Sequence, residues 1–372
     1  MRTIGIIGSD GFLGWHLRCL LSTQEDICVK CCSKLDFYSD DFMSSFLRSC
    51  DVIIHVAGVN RGNDDELDLN TTIAKQLIEA LKKEGVSPHL LYASTTHVDR
   101  GTVYGETKRI AGELFLDWSS CASAKFTNVV LPNLFGECGR PFYNSVVATF
   151  CYQLANNKQP NIENDCELSL LHANEAANIF LQAIYSEQTG DIKPEGYKIT
   201  VSGLLCLLQH LHDIYSNGIV PNLEKLFVLR MFNTYRSFLY PDRYPAVIEL
   251  HEDDRGALYE GVKTKNGGQA FLSTTKPGVI RGNHFHLEKF ERFLVVRGKA
   301  KIALRKMFSS EVVEFHVSGN SPCYVDIPTL YTHNITNTGD ENLLTLFWSH
   351  EIFNPNKQDT YLEPVEPGIK PQ

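Results

Sequence analysis

Gly278-Val-Ile-Arg-Gly-Asn-His284-Phe-His286-Leu-Glu-Lys-Phe-Glu291-Arg-Phe-Leu-Val-Val-Arg-Gly298 and, one strand pair later, Pro328-Thr-Leu-Tyr-Thr-His333-Asn-Ile-Thr-Asn337 decide how the last third of this 372-residue chain folds. In an extended strand, residues i and i+2 face the same way, so His284 and His286 share one face. Glu291 is expected from the same hairpin, and His333 from a strand across a small antiparallel barrel. Three neutral imidazoles and a carboxylate suit a divalent ion such as Zn, Mn, Fe or Ni, with positions left open for a substrate oxygen. The competing expectation from the same residues is a metal-free, sugar-binding barrel.

Upstream of this run the pattern changes twice. Strand-like segments between Gly, Pro, Asn and Asp turns begin after Tyr240-Pro-Asp-Arg-Tyr-Pro245, whose prolines break helix and strand alike. The expected division is therefore residues 1–245 and 246–372. From about Asn144 to Leu239 the chain reads as mostly helical, with amphipathic stretches at 144–158, 173–187 and 204–215. From Met1 to about Trp118, β-branched runs alternate with helical patterns: Ile4-Gly-Ile-Ile7, the helix from Gly11 to Leu21, Asp51-Val-Ile-Ile-His-Val-Ala-Gly58, and Leu90-Leu-Tyr-Ala-Ser94. Asn70 is read as the cap of a helix that stops at Gly85. Such alternation predicts an α/β domain with a parallel, doubly wound sheet, followed by an all-β domain.

Two features give the first domain its chemistry. Gly8-Ser-Asp-Gly11-Phe-Leu-Gly14 follows the first strand and opens the first helix, where glycines let the backbone approach a pyrophosphate at the helix N-terminus. Tyr104-Gly-Glu-Thr-Lys108 places an ammonium beside a phenol on one helix face, which is expected to lower the phenol's pKa and fit it for proton transfer. A hydroxyl from Ser94 or Thr95, at the end of the preceding strand, would complete an oxyanion-binding pair. The second strand, near Ile27 to Ser33, ends without the Asp or Glu that would bind a free ribose 2′-hydroxyl. Lys30 and Lys34 lie close by instead, and Asp36 comes a few residues late, so NADPH is expected over NADH.

The net charge of -9 and the absence of a basic stripe argue against a nucleic-acid partner. The longest apolar runs fall far short of the roughly 20 residues that span a bilayer. No secretory leader is expected before a first strand that begins by Thr3, so a cytoplasmic location is expected. Eleven cysteines include a single Cys-x-x-Cys, Cys28 to Cys31, with no second pair to make a zinc ribbon. They read as reduced thiols packed as small apolar residues.

Over residues 1–240 these motifs resemble the extended short-chain dehydrogenase/reductase family. The resemblance implies a Rossmann-type fold, a nicotinamide cofactor and, in many members, a nucleotide-sugar substrate. It implies Tyr104 as general acid/base, Lys108 as its orienter and ribose ligand, and Thr95 as the substrate-binding hydroxyl, with Ser94 the alternative. It also implies that Ala57 and Gly58 lie beside the cofactor and that Asn133-Leu-Phe-Gly136 reaches towards cofactor and substrate. From about Ala246 to Glu366 the chain resembles the cupin family, whose first motif, Gly-x5-His-x-His-x4-Glu-x6-Gly, is met from Gly278 to Gly298. The second motif has Leu330 where the family has Gly, which puts the local turn in question but not the ligand.

The pairing of the two halves resembles bifunctional enzymes of capsule and O-antigen synthesis. It implies C3 epimerisation of a UDP-linked 4-keto-6-deoxy-N-acetylhexosamine by the cupin, then reduction of the C4 ketone with NADPH. The product would be of the UDP-N-acetyl-L-talosamine type, on the way to UDP-N-acetyl-L-fucosamine, and Zn and a homodimer are implied with it. Tyr331 and His350 are candidates for the epimerisation base, with packing or surface roles as the alternative. Two departures, His172-Ala-Asn-Glu175 and Leu131, bear on substrate preference. The rival readings are an NAD-dependent nucleotide-sugar 4-epimerase or dehydratase with a sugar-binding cupin, and an NADP-sensing regulator.

Overall fold

Six strands form a parallel sheet in the order Ile27–Cys32, Arg2–Ile7, Val52–His55, His89–Thr95, Phe126–Leu131 and Gly190–Ile192. The computed structural model describes residues 1–254, 256–356 and 358–366. Val52–His55 and His89–Thr95 are buried along their whole length, as a sheet covered on both faces requires. Ile7, Phe46, Leu77, Tyr92 and Phe115 meet in the core between sheet and helices, each burial contributing ~1.5–3 kcal/mol. The winding reverses between Arg2–Ile7 and Val52–His55. Sheets of this kind bind ligands outside the strands' carboxyl ends at such a switch point. Residues 33–50 add two helices, Lys34–Phe37 and Asp40–Ser49, and no further strand to the edge.

One expected cap moves. The helix Asp64–Glu84 is opened by Asn63, whose side chain and Glu66 form a reciprocal capping box, and is stopped by Gly85. Asn70 is therefore an interior residue two turns on. Its side chain is turned to other work: Oδ1 accepts from the Val59 N–H (2.8 Å) and Nδ2 donates to the Val59 carbonyl (2.8 Å). It pins the loop after the strand Val52–His55 to the helix.

The chain separates into two compact units, Met1–Thr149 with Ile162–Gly203, and Phe150–Asn161 with Leu204–Gln372. The helices Val201–Ser216 and Leu226–Ser237 thus group, almost entirely, with the C-terminal unit. Within that unit two antiparallel five-stranded sheets face each other. One runs Ala246–Val247, Cys323–Ile327, Glu291–Arg297, Leu343–Ser349 and Gln269–Thr275. The other runs Val312–Ser318, Lys299–Lys306, Tyr331–Asn337, Ile280–Phe285 and Tyr361–Leu362. Alternate residues Phe293, Val295, Ile302, Leu304, Ile335 and Phe347 fill the space between them. Arg292 and Asp326 form a fully buried pair at 2.6 Å, and the Asp326 carboxylate also accepts from the Tyr215 hydroxyl on the helix Val201–Ser216.

Leu330 adopts the backbone its motif calls for. Its φ of 64 lies in the left-handed region, its side chain is buried, and its N–H donates to the His286 carbonyl at 2.8 Å. A leucine here bears a conformational cost of roughly 1–2 kcal/mol, which burial of its side chain offsets.

Candidate functional site

In the N-terminal unit, Gly8 has a φ of 90, and a Cβ there would lie 2.6 Å from the Ala57 nitrogen. A Cβ on Gly14 would lie 2.1 Å from the Gly8 carbonyl oxygen. The loop is thus folded tightly onto the first helix turn and against the next strand's end. Gly11 caps the helix Phe12–Leu21 without a side chain, and no acidic residue stands in its first turn. The first-turn N–H groups, which have no acceptor within a helix, and the positive helix end together suit a diphosphate. Ala57 and Gly58 border the same switch point; a Cβ on Gly58 would meet Asn70 Oδ1 at 2.8 Å and Lys108 Nζ at 3.6 Å. At the end of the second strand, the Asp36 carboxylate accepts the Ser33 N–H at 2.9 Å in a second capping box. One of its carboxylate oxygens is thereby engaged within its own turn. Lys34 is exposed at the start of the short helix, whereas Lys30 lies mid-strand, its charge felt by the Cys50 thiol.

Tyr104 and Lys108 sit on the first turns of the helix Val103–Ala122, capped by the Thr102 side chain. The phenol is hydrogen-bonded to the Thr95 hydroxyl. Ser94, one residue earlier on the same strand, is buried and by alternation faces the other way. The expected lowering of the phenol's pKa is not what the geometry gives. Burial raises Tyr104 above its ordinary value, and the hydrogen bond from Thr95 only partly opposes it. Lys108 is the group that moves far: burial pushes its ammonium down to about 7. Its Nζ lies 4.3 Å from the Tyr92 ring centre, and the Tyr92 hydroxyl donates to the Lys108 carbonyl at 3.3 Å. Asn133 hydrogen-bonds His97, whose ring lies edge-on to Tyr104 at 6.2 Å. His97 and Asn70 carry no motif of their own, and only the fold brings them to this site.

The segment after Asn133 holds a buried polar cluster that the sequence reading missed. His172 Nε2 lies 3.1 Å from Glu137 Oε2, and His16 Nε2 lies 3.1 Å from the Glu137 carbonyl oxygen. Burial alone would raise Glu137, but His172 and His16 hold its carboxyl at about 2. The departure at His172 is thus a buried helix cap. Leu131 is a buried strand end.

In the C-terminal unit, His284, His286, Glu291 and His333 converge, with their ligand atoms all within 4.8 Å of one another. His284 and His333 are directly opposed across paired strands, and a register shift between Gly282 and His284 re-aims the first strand's end. His286 Nε2 comes within 2.9 Å of Glu291 Oε2, and His333 Nε2 within 3.5 Å. Neither contact has hydrogen-bond alignment, so both buried nitrogens are orphaned. Burial and the neighbouring rings push His284 down to about 2, and burial lowers His333. Burial would raise Glu291, yet the His286 and His333 imidazoles hold its carboxyl well below the usual range. Two ring nitrogens without hydrogen-bond partners and a carboxylate oxygen turned to one point are satisfied together by a cation. The donor set therefore fits a divalent metal. A cavity of about 220 Å³ borders Glu291 and is lined also by Gln269, Lys289, Ser349 and Asp359.

Of the two base candidates, His350 Nδ1 accepts from the Phe290 N–H at 3.1 Å, and burial lowers its pKa to about 4. Tyr331 packs on Tyr240, with ring centres 4.8 Å apart. Neither points to a proton-transfer role.

Residues 4–199 match the model of the NAD dependent epimerase/dehydratase family. The chain belongs to that family. Residues 251–361 match the polysaccharide biosynthesis C-terminal domain. The chain is 29% identical over 370 residues to a Pseudomonas aeruginosa protein named UDP-2-acetamido-2,6-beta-L-arabino-hexul-4-ose reductase, covering 98% of this chain and 99% of that one. It is similar to the crystal structure of the capsular polysaccharide assembling protein CapF from Staphylococcus aureus at 31% identity and a TM-score of 0.62, over 98% of this chain and 100% of that one. RMD from Pseudomonas aeruginosa, solved with NADPH, is similar in fold at 19% identity and a TM-score of 0.51, over 58% of this chain and 84% of that one. Among the described residues no helix is long and apolar enough to cross a membrane.

Proposed function

We propose that this chain is a bifunctional nucleotide-sugar enzyme of capsular or O-antigen polysaccharide synthesis. Its cupin half epimerises C3 of a UDP-4-keto-6-deoxy-N-acetylhexosamine, and its reductase half reduces the C4 ketone to a UDP-N-acetyl-L-talosamine-type product. The observation that carries this reading is the end-to-end similarity to a reductase named for such a keto sugar, in a chain that holds both clusters. Chemistry is divided as 1–245 for the nicotinamide site and 246–372 for the metal site.

NADPH supplies the hydride. Gly8, Gly11 and Gly14 would let its diphosphate approach the first turn of the helix Phe12–Leu21, Ala57 and Gly58 would let it lie against the sheet, and the exposed Lys34 would pair with a 2′-phosphate. Tyr104, kept protonated by burial, donates a proton to the oxygen formed at C4, while Thr95 hydrogen-bonds that phenol and holds it in place. Lys108 would bind the ribose beside Tyr104, and Asn133 steadies His97 at the same edge. A divalent metal such as Zn would polarise the ketone and make the proton on the adjacent carbon removable. His284, His286, Glu291 and His333 would hold it, and the cavity beside Glu291 would admit the sugar.

The test is product analysis by NMR after adding the UDP-4-keto sugar in deuterated water, with and without NADPH. Deuterium at C3 without NADPH, and one NADPH consumed per C4 reduced with it, are the expected results. Conversion of the sugar with no net NADPH consumption would favour the 4-epimerase reading; no conversion with NADP bound would favour the sensor. Residence in the cytoplasm and a homodimer in light scattering belong to the same proposal.

A further inference from the structure

We propose that Asp359 is the positioning residue of the metal centre, an assignment that rests on the metal-binding reading above. Asp359 stands 73 residues from His286 in sequence and belongs to no ligand motif. Its carboxylate accepts three consecutive backbone N–H groups, from Leu287 (2.8 Å), Glu288 (2.8 Å) and Lys289 (2.7 Å). These three residues, with Phe290, are the loop that joins ligand His286 to ligand Glu291. Its own carbonyl oxygen is hydrogen-bonded to His286 Nδ1. A carbonyl can only accept, so His286 donates from Nδ1, and Nε2 is the ring nitrogen turned towards Glu291.

One residue therefore sets the tautomer of one ligand and the spacing to the next. A charged carboxylate holding three amides is a strong, directional clamp, and outer partners of this kind fix ring orientation in metal sites. The opposite side of the loop is held independently: Asn233 Nδ2 donates to the Glu288 carbonyl at 2.9 Å, and Arg230 pairs with Glu288 at 3.0 Å. Those contacts touch no ligand. Among the described residues Asp359 alone reaches both the loop amides and a ligand ring.

The experiment compares the full chain with its Asp359→Asn and Asp359→Ala variants. The control is Glu363→Gln, which alters the same C-terminal segment's ion pair with Arg305. Zn²⁺ affinity is read by competition with a chromophoric chelator, Co²⁺ geometry by its visible absorption, and loop order by amide hydrogen exchange at residues 287–289. The Asp359 variants are expected to bind Zn²⁺ roughly 10–100-fold more weakly, with an altered Co²⁺ spectrum and faster exchange at those amides. Glu363→Gln is expected to bind as the wild type does. Unchanged affinity in both Asp359 variants, or an equal loss in Glu363→Gln, would overturn the assignment while leaving the metal reading intact. A wild-type protein that takes up neither ion would bring down both. Should the variants fail to fold, imidazole ¹⁵N NMR of the unmutated protein decides: His286 is expected to carry its proton on Nδ1, and a proton on Nε2 would overturn the assignment.

Discussion

Lys108 is held at a cost, and that cost can be measured without substrate. Its side chain is buried, and burial brings its pKa from 10.5 to about 7. At ~1.4 kcal/mol for each pH unit, the gap corresponds to about 5 kcal/mol as an upper bound, of which the Tyr92 ring face already returns a part. The sign follows from proton counts. Between pH 7 and 10.5 the unfolded chain carries the Lys108 proton and the folded chain does not, so stability rises with pH across that window. Below about 7 the group is charged in both states and the full penalty applies; above 10.5 it is neutral in both. Lys108→Met keeps most of the shape and removes the charge. In urea unfolding without cofactor, the variant is expected to be more stable than the wild type by a few kcal/mol at pH 7. The difference should shrink towards zero by pH 10.5, while reductase activity is lost. Tyrosines and cysteines that also titrate in this range cancel in the comparison. A difference that stays constant with pH, or a wild type that is the more stable at pH 7, would refute the reasoning.

Other perturbations test the remaining parts. Tyr104→Phe is expected to lower NADPH-dependent reduction by roughly 10²–10⁴-fold with NADPH affinity kept, as read by stopped-flow kinetics and fluorescence titration. Gly14→Ala places a methyl against the Gly8 carbonyl with only backbone around it. It should cost about 1–3 kcal/mol of stability and weaken NADPH binding, both readable in a thermal melt with and without cofactor. Arg292→Met leaves the Asp326 carboxylate buried without its partner and is expected to cost about 3–5 kcal/mol, while adding Asp326→Leu should restore much of that loss. Leu330→Gly relieves the left-handed strain but gives up a buried side chain, whose truncation costs about 2–5 kcal/mol. Net destabilisation in chemical denaturation is expected.

The motifs that were legible are those whose geometry is local. His284 and His286 two residues apart, and Tyr104 and Lys108 four apart, have their relative placement written by strand and helix periodicity. The glycine loop likewise needs only the strand before it and the helix after it. Partners supplied by distant segments were not legible. Asp359 reaches His286, and His97 reaches Asn133, only because the sheets fold back, and no spacing rule predicts either. Asn70 was misread for a related reason. An asparagine before an apolar run is a sound capping signal, but Asn63 with Glu66 offers a reciprocal box and wins. The direction of the Tyr104 shift depended on burial, which one helix face cannot reveal. Leu330 shows the reverse: the motif position asks for a backbone conformation, and a leucine supplies it once packing rewards the side chain.

The helix Leu226–Ser237 has a consequence for anyone who would use the barrel by itself. Arg236 lies 3.9 Å over the Phe290 ring and donates to the Ile327 carbonyl, while Phe232 packs edge-on against Phe290. A gene fragment cut at the proline-rich segment 240–245 would strip this cover. It would uncover Phe290 and leave the Asp326 carboxylate without the Tyr215 hydroxyl. Such a fragment should be sticky and poorly soluble. One that begins at Val201 keeps both helices, and of the same compact unit it lacks only Phe150–Asn161.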